Sequence, residues 1–106
     1  MARALLSLPA NPRRGQIIEV KALIAHDMET GFRRTQFGAL IARDIVTDFV
    51  CMYNGEEVFA AQLHPAIAAN PYLAFSILVA DSGVITGKWT GDNGFSVTES
   101  VTITVA

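Results

Sequence analysis

Residues 45–63 read IVTDFVCMYNGEEVFAAQL. Asn54-Gly55 near the middle is the strongest short-range hairpin signal, because a type I′ turn needs positive φ at both central residues. Before it, Ile45–Tyr53 reads as a strand with Ile45, Thr47, Phe49, Cys51 and Tyr53 on one face. The other face carries Val46, Asp48, Val50 and Met52, so both sides are largely apolar. One side is core, and the other, centred on Val50 and Met52, is expected to meet another protein. After the turn, Glu56–Leu63 is the returning strand. The stretch is an antiparallel hairpin, and it sets a β reading for the chain.

Towards the N-terminus, residues 26–44 break the alternation with charged residues and with glycines at Gly31 and Gly38. This predicts a long loop with a short hairpin around Phe32–Ile41, and a loop of that length in a small domain is usually functional or disordered. Before it, Gln16–Ala25 sets Ile18, Val20, Ala22 and Ile24 against Glu19 and Lys21, a half-buried strand. Arg3–Leu8 is a short apolar strand stopped by Pro9 and Asn11-Pro12.

Towards the C-terminus, His64-Pro65 and Asn70-Pro71 stiffen the next connection, because each proline restricts the residue before it as well as itself. Residues 65–70 have room for one helical turn. Leu73–Ala80 points Leu73, Phe75, Ile77 and Val79 inward, and Asp81-Ser82-Gly83 turns the chain. Val84–Thr90 places Ile85 and Trp89 on one face, and Gly91-Asp92-Asn93-Gly94 is a second hairpin turn. In the last strand, Phe95–Val105, Glu99 falls on the apolar side, which predicts a bulge or an edge position there. About seven strands with turns between them predict an immunoglobulin-like antiparallel β-sandwich, a single domain over residues 1–106. A small closed barrel is the structural alternative.

Composition narrows the function. Hydrophobic residues make up 51% of the 106 and charged residues 17%, against about 25% charged in a typical soluble domain. An apolar excess of this kind is expected where a partner covers part of the surface. Net charge is -2 with no basic run, so the electrostatic footprint of a nucleic-acid binder is missing. No apolar run is long enough for a membrane helix. The first fifteen residues do not read as a signal peptide, which taken alone suggests the cytoplasm. With one cysteine there is no internal disulfide.

Three chemistries have candidate residues. Cys51 as a nucleophile or sulfur acceptor would need an exposed, activated thiolate, but its place beside Phe49 and Tyr53 favours a buried apolar role. His26 and His64 with Asp27 and Glu29 are suitable metal ligands, though their spacing fits no ligand motif, so no metal or cofactor is expected. Serine, histidine and aspartate are present without a nucleophile elbow, and an enzyme is not expected. The pairs Arg13-Arg14 and Arg33-Arg34 have the charge to steer an acidic partner.

Two segments resemble the SoxZ family. His26, Met28, Glu29, Thr30, Gly31 and Arg33 are similar to its H-P-M-E-T-G-x-R loop, with Asp27 in the position of the family proline. Asn54-Gly55, Glu57-Val58-Phe59, Leu63-His64-Pro65-Ala66 and Ala69-Asn70-Pro71-Tyr72 resemble its N-G-x-E-V-F, L-H-P-A and A-N-P-Y segments, and the chain ends in a similar I-T-V-A. The resemblance implies an immunoglobulin-like, non-catalytic subunit of the SoxYZ carrier of thiosulfate oxidation. SoxY would hold sulfur intermediates on the cysteine of a flexible C-terminal arm, and this chain would help present that arm. It implies a heterodimer with SoxY or a higher oligomer, transient contact with other Sox enzymes, and a periplasmic location reached by export with SoxY. The expected contact residues are Met28, Glu29, Arg33, His64, Pro65, Asn70, Pro71 and Tyr72 from the two loops, which either touch SoxY or form the platform that downstream enzymes recognise, with Val50 and Met52 from the strand as the apolar centre of the SoxY interface.

Overall fold

Alternating burial along each strand builds two stacked sheets. The computed structural model describes residues 3–64, 67 and 69–106. Its strands are β1 (Ala4–Ser7), β2 (Ile17–Ile24), β3 (Val46–Tyr53), β4 (Glu56–Gln62), β5 (Tyr72–Leu78), β6 (Gly83–Gly91) and β7 (Ser96–Ile103). One sheet has the order β1-β2-β5 and the other β4-β3-β6-β7, with every pairing antiparallel. The arrangement is a sandwich of three strands on four, not a closed barrel. Each expected strand is present to within two residues at either end.

The inward faces supply the core. Val20, Ala22 and Ile24 from β2 meet Phe49 and Cys51 from β3 and Ile85 and Trp89 from β6, all at most 1% exposed. Phe49 packs on Trp89 with ring centroids 4.8 Å apart. Aromatic side chains buried this fully are each worth about 3 kcal/mol of hydrophobic stabilisation. Along one long side, Phe59 of edge strand β4 stacks on Phe75 of edge strand β5 at 4.2 Å, joining the two sheets there.

The turns follow the residues that specify them. Asn54 and Gly55 have φ of 50° and 85°, both positive as a type I′ turn requires. Asn54 Oδ1 also accepts from Val84 N at 2.9 Å, and the Tyr53 hydroxyl donates to Asp81 O while accepting from Ala80 N, which fastens this end. The second hairpin turn is a short 3-10 turn over Asp92–Gly94, with Asn93 at φ 57°.

Two expectations are refined. Regular alternation put Ile45 and Thr47 on the core face, yet Ile45 and Val46 are both buried and Thr47 only partly. The β3–β6 register shifts between Val46 and Asp48, and the extra residue moves side chains to the other face. At this place Gly91 approaches so closely that a Cβ would lie 2.3 Å from Ile45 O. For Glu99 the edge alternative holds: β7 ends its sheet and keeps an unbroken register with β6.

Candidate interaction surface

The two motif-bearing loops are 38 residues apart in sequence and meet at one end of the sandwich. Asn70 joins them. Its Oδ1 accepts from His26 N at 2.9 Å, and its own N–H donates to His26 O at 2.6 Å. The asparagine holds this place with φ 53°, a conformation that asparagine tolerates better than most residues. Beside it, Pro71 is buried and its carbonyl accepts from Ile24 N at 3.2 Å, leading the chain into β5.

His26 is fixed as well. Met28 N donates to its Nδ1 at 2.9 Å, which leaves the ring proton on Nε2, facing Asp44 Oδ1 at 3.8 Å. The ring stands edge-on to Phe95 at 4.8 Å. A shallow pocket of about 460 Å³ lies here, lined by His26, Asp27, Glu29, Asp44, Asn70 and Phe95 among others. It holds three carboxylates and a histidine whose Nδ1 is already engaged by the backbone. Among the described residues no group of three or more His, Cys, Asp or Glu side chains is arranged to hold a metal.

Met28 does not belong to the outer surface. It is 4% exposed with φ 56°, and its sulfur accepts from Val46 N at 3.2 Å, so it supports the loop from inside. The sequence could not separate a buried anchor from an exposed contact within one motif. Glu29 and Asp44 exchange backbone hydrogen bonds of 2.8 Å in both directions and close the loop at its base. Arg33 binds the Glu29 carboxylate, holding its pKa below the usual value by side-chain hydrogen bonding, while the arginine's own is raised. Arg43 makes two 2.8 Å bonds to Asp92, whose pKa falls for the same reason.

Above this base the chain forms a small finger. Arg34 and Leu40 pair as a bridge, and Thr35 N donates to Ala39 O across the turn. Every residue from 32 to 40 is exposed, with Phe32 at 81%, Phe37 at 88% and Leu40 at 58%. The molecule measures 59 Å along its long axis, while the nine-residue β6 spans only about 30 Å. These three exposed apolar side chains were not among the expected contacts. The signal was present, since two phenylalanines and a leucine fall within nine residues of a segment already read as a loop.

The remaining expected contacts separate. His64 is exposed, its carbonyl accepting from Ile67 N at 2.9 Å, and Pro65 lies outside the described residues, as does part of the expected helical turn. Tyr72 is 56% exposed on the outer face of the three-stranded sheet, in a cross-strand row with Leu23 and Leu5. Val50 and Met52 are half-buried on the outer face of the four-stranded sheet, beside Ala60, Lys88 and Thr86. No flat partner covers both outer faces at once. Cys51 is fully buried, and desolvation pushes its pKa to about 11, so it has the properties of a core residue.

A family model described as sulphur oxidation protein SoxZ matches residues 6–102. No curated protein matches the chain. Among solved structures, superoxide reductase (neelaredoxin) from Ignicoccus hospitalis superposes with TM-score 0.75 at 14% identity, covering 97% of this chain and 80% of that one. Two variants of the same reductase match equally well in score and identity, each over 79% of its length. At that identity the likeness is one of fold.

Proposed function

The chain belongs to the SoxZ family, and from that premise we propose that it is the non-catalytic subunit that binds SoxY and helps present the SoxY cysteine arm to the enzymes of thiosulfate oxidation. Membership implies a role in the SoxYZ sulfur-oxidation carrier and association with SoxY. The supporting observation is the finger: three exposed apolar side chains on a segment whose base is locked by Asn70, Asp92 and Met28. Apolar anchors on a preorganised support are what a protein interface uses for its strongest contacts. The buried Cys51 thiol supports leaving the covalent chemistry to SoxY.

SoxY seats on this loop end, touching the finger together with Glu29, Arg33, His64 and the edge of Asn70. Val50 and Met52 offer a half-buried apolar strip on the outer face of the four-stranded sheet for transient contact with the Sox enzymes. The assembled pair works in the periplasm, which this chain reaches bound to SoxY.

Calorimetric titration with SoxY tests the seat. Removing both aromatic anchors (Phe32→Ala with Phe37→Ala) raises the Kd at least about tenfold, with melting unchanged because both rings are exposed. Wild-type affinity in that variant, with a loss in Met52→Glu, would move the seat to the four-stranded sheet. Failure of the unaltered chain to bind SoxY at all would end the proposal.

A further inference from the structure

A sandwich of two open sheets has four edge strands, and an exposed edge pairs with other chains unless something blocks it. Three edges here are blocked. Strand β1 has only four residues and lies against β7. Strand β4 carries Glu56 and Glu57 and a register shift opposite Cys51 and Met52. Strand β7 turns Glu99 towards the apolar side. Strand β5, with the sequence YLAFSIL, has no charge, no proline and seven consecutive pairs with β2 in one unbroken register. Among the described residues its other side has no strand neighbour.

We propose that β5 pairs antiparallel with β5 of a second copy of this chain, about a two-fold axis at Phe75, so that two three-stranded sheets become one of six strands. The outer face favours this partner. Tyr72 pairs with Leu23 at one end of β5, and Leu78 with Ile17 at the other, and all four side chains are exposed. A two-fold at Phe75 sets Tyr72 opposite Leu78 of the second copy. Each terminal row then runs apolar through five strands: Leu5, Leu23, Tyr72, then Leu78 and Ile17 of the second copy.

The middle rows match by charge. Lys21 pairs with Ala74, and Glu19 with Ser76. The same axis brings Ala74 opposite Ser76 of the second copy, so each row has a lysine at one end and a glutamate at the other. They stand about 14 Å apart at the backbone, three strand spacings. The small side chains between them leave room for the long ones to approach. The contact is isologous and therefore closes as a dimer.

Two double variants of the full chain test the register by sedimentation velocity over a concentration series. Ala74→Glu with Ser76→Glu sets like charges opposite each other twice across the axis. Within one chain, its new carboxylates lie beside Lys21 and Glu19 and offset one another. Ala74→Glu with Ser76→Lys sets opposite charges across the axis and also matches Lys21 and Glu19. Dimerisation is expected to weaken about tenfold in the first and tighten about tenfold in the second, since each cross-strand pair contributes modestly and there are two. The same ratio is read in the complex with SoxY as heterodimer against heterotetramer. The pairing is overturned if the unaltered chain stays monomeric alone and heterodimeric with SoxY. It is equally overturned if both variants associate like wild type, or if the first variant loses SoxY binding while self-association is unchanged. Intact SoxY binding with no response to either variant sinks only the β5 pairing and leaves the SoxY reading standing.

Discussion

Replacing Asn70 separates the two things this residue does. Asn70→Ala removes the hydrogen bond from His26 N to Oδ1 at 2.9 Å, worth about 1 kcal/mol. It also leaves an ordinary β-carbon at φ 53°, which costs roughly 1 kcal/mol more because alanine has no local polar contact to offset it. Asn70→Gly loses the same hydrogen bond but removes the strain, so its cost is about half. For a domain of this size these correspond to melting temperatures lower by about 8 °C and about 4 °C. Thermal unfolding by circular dichroism reads the difference, and amide exchange at His26 reports the clamp directly. Both variants keep the Asn70 N–H to His26 O bond, so neither effect comes from losing it. Equal melting in the two variants, or unchanged protection of the His26 amide, would refute this account of the join.

Three further outcomes follow from Cys51 and Gly91. Cys51→Ala should lower stability by only about 1 kcal/mol and leave thiosulfate turnover intact, and loss of turnover would return the thiol to the chemistry. The Cys51 pKa is raised from 9.0 to about 11 by burial, so the protonated thiol favours the folded state fully below pH 9. That contribution is lost as pH rises from 9 towards 11; a wild-type melting profile parallel to that of Cys51→Ala across this window would contradict it. Gly91→Ala drives a Cβ to 2.3 Å from Ile45 O, a backbone atom with little freedom, and should cost about 3 kcal/mol in urea unfolding. A midpoint equal to wild type would show that the register shift beside it is easily moved.

The seven strands were legible because each carries its own period and is bounded by its own turn residues. Asn54-Gly55 specified a hairpin from two adjacent side chains, and the turn matches. Where one inserted residue changes the facing, as at Val46–Asp48, local alternation failed. The join of the two loops was not legible, since it depends on a bond between residues 44 positions apart. Met28 shows the same limit: the motif is right, but the side chain's direction is set by a positive φ and by a bond to Val46. The finger's aromatics were passed over because a loop reading weighs glycines and charges ahead of exposed apolar groups.

The anchoring of the finger also fixes a sequence of events. Its base is closed by Asn70, which follows β4, and by Asp92, which follows β6, although the finger itself precedes β3. During synthesis the segment from 27 to 44 emerges long before either anchor exists, and closing such distant contacts is slow. The finger is therefore among the last parts to reach its final geometry, after the hairpin of β3 and β4 and after β6 has turned into β7. A chain interrupted before Asp92 would have most of its strands and a finger lacking the Arg43 anchor that completes its base.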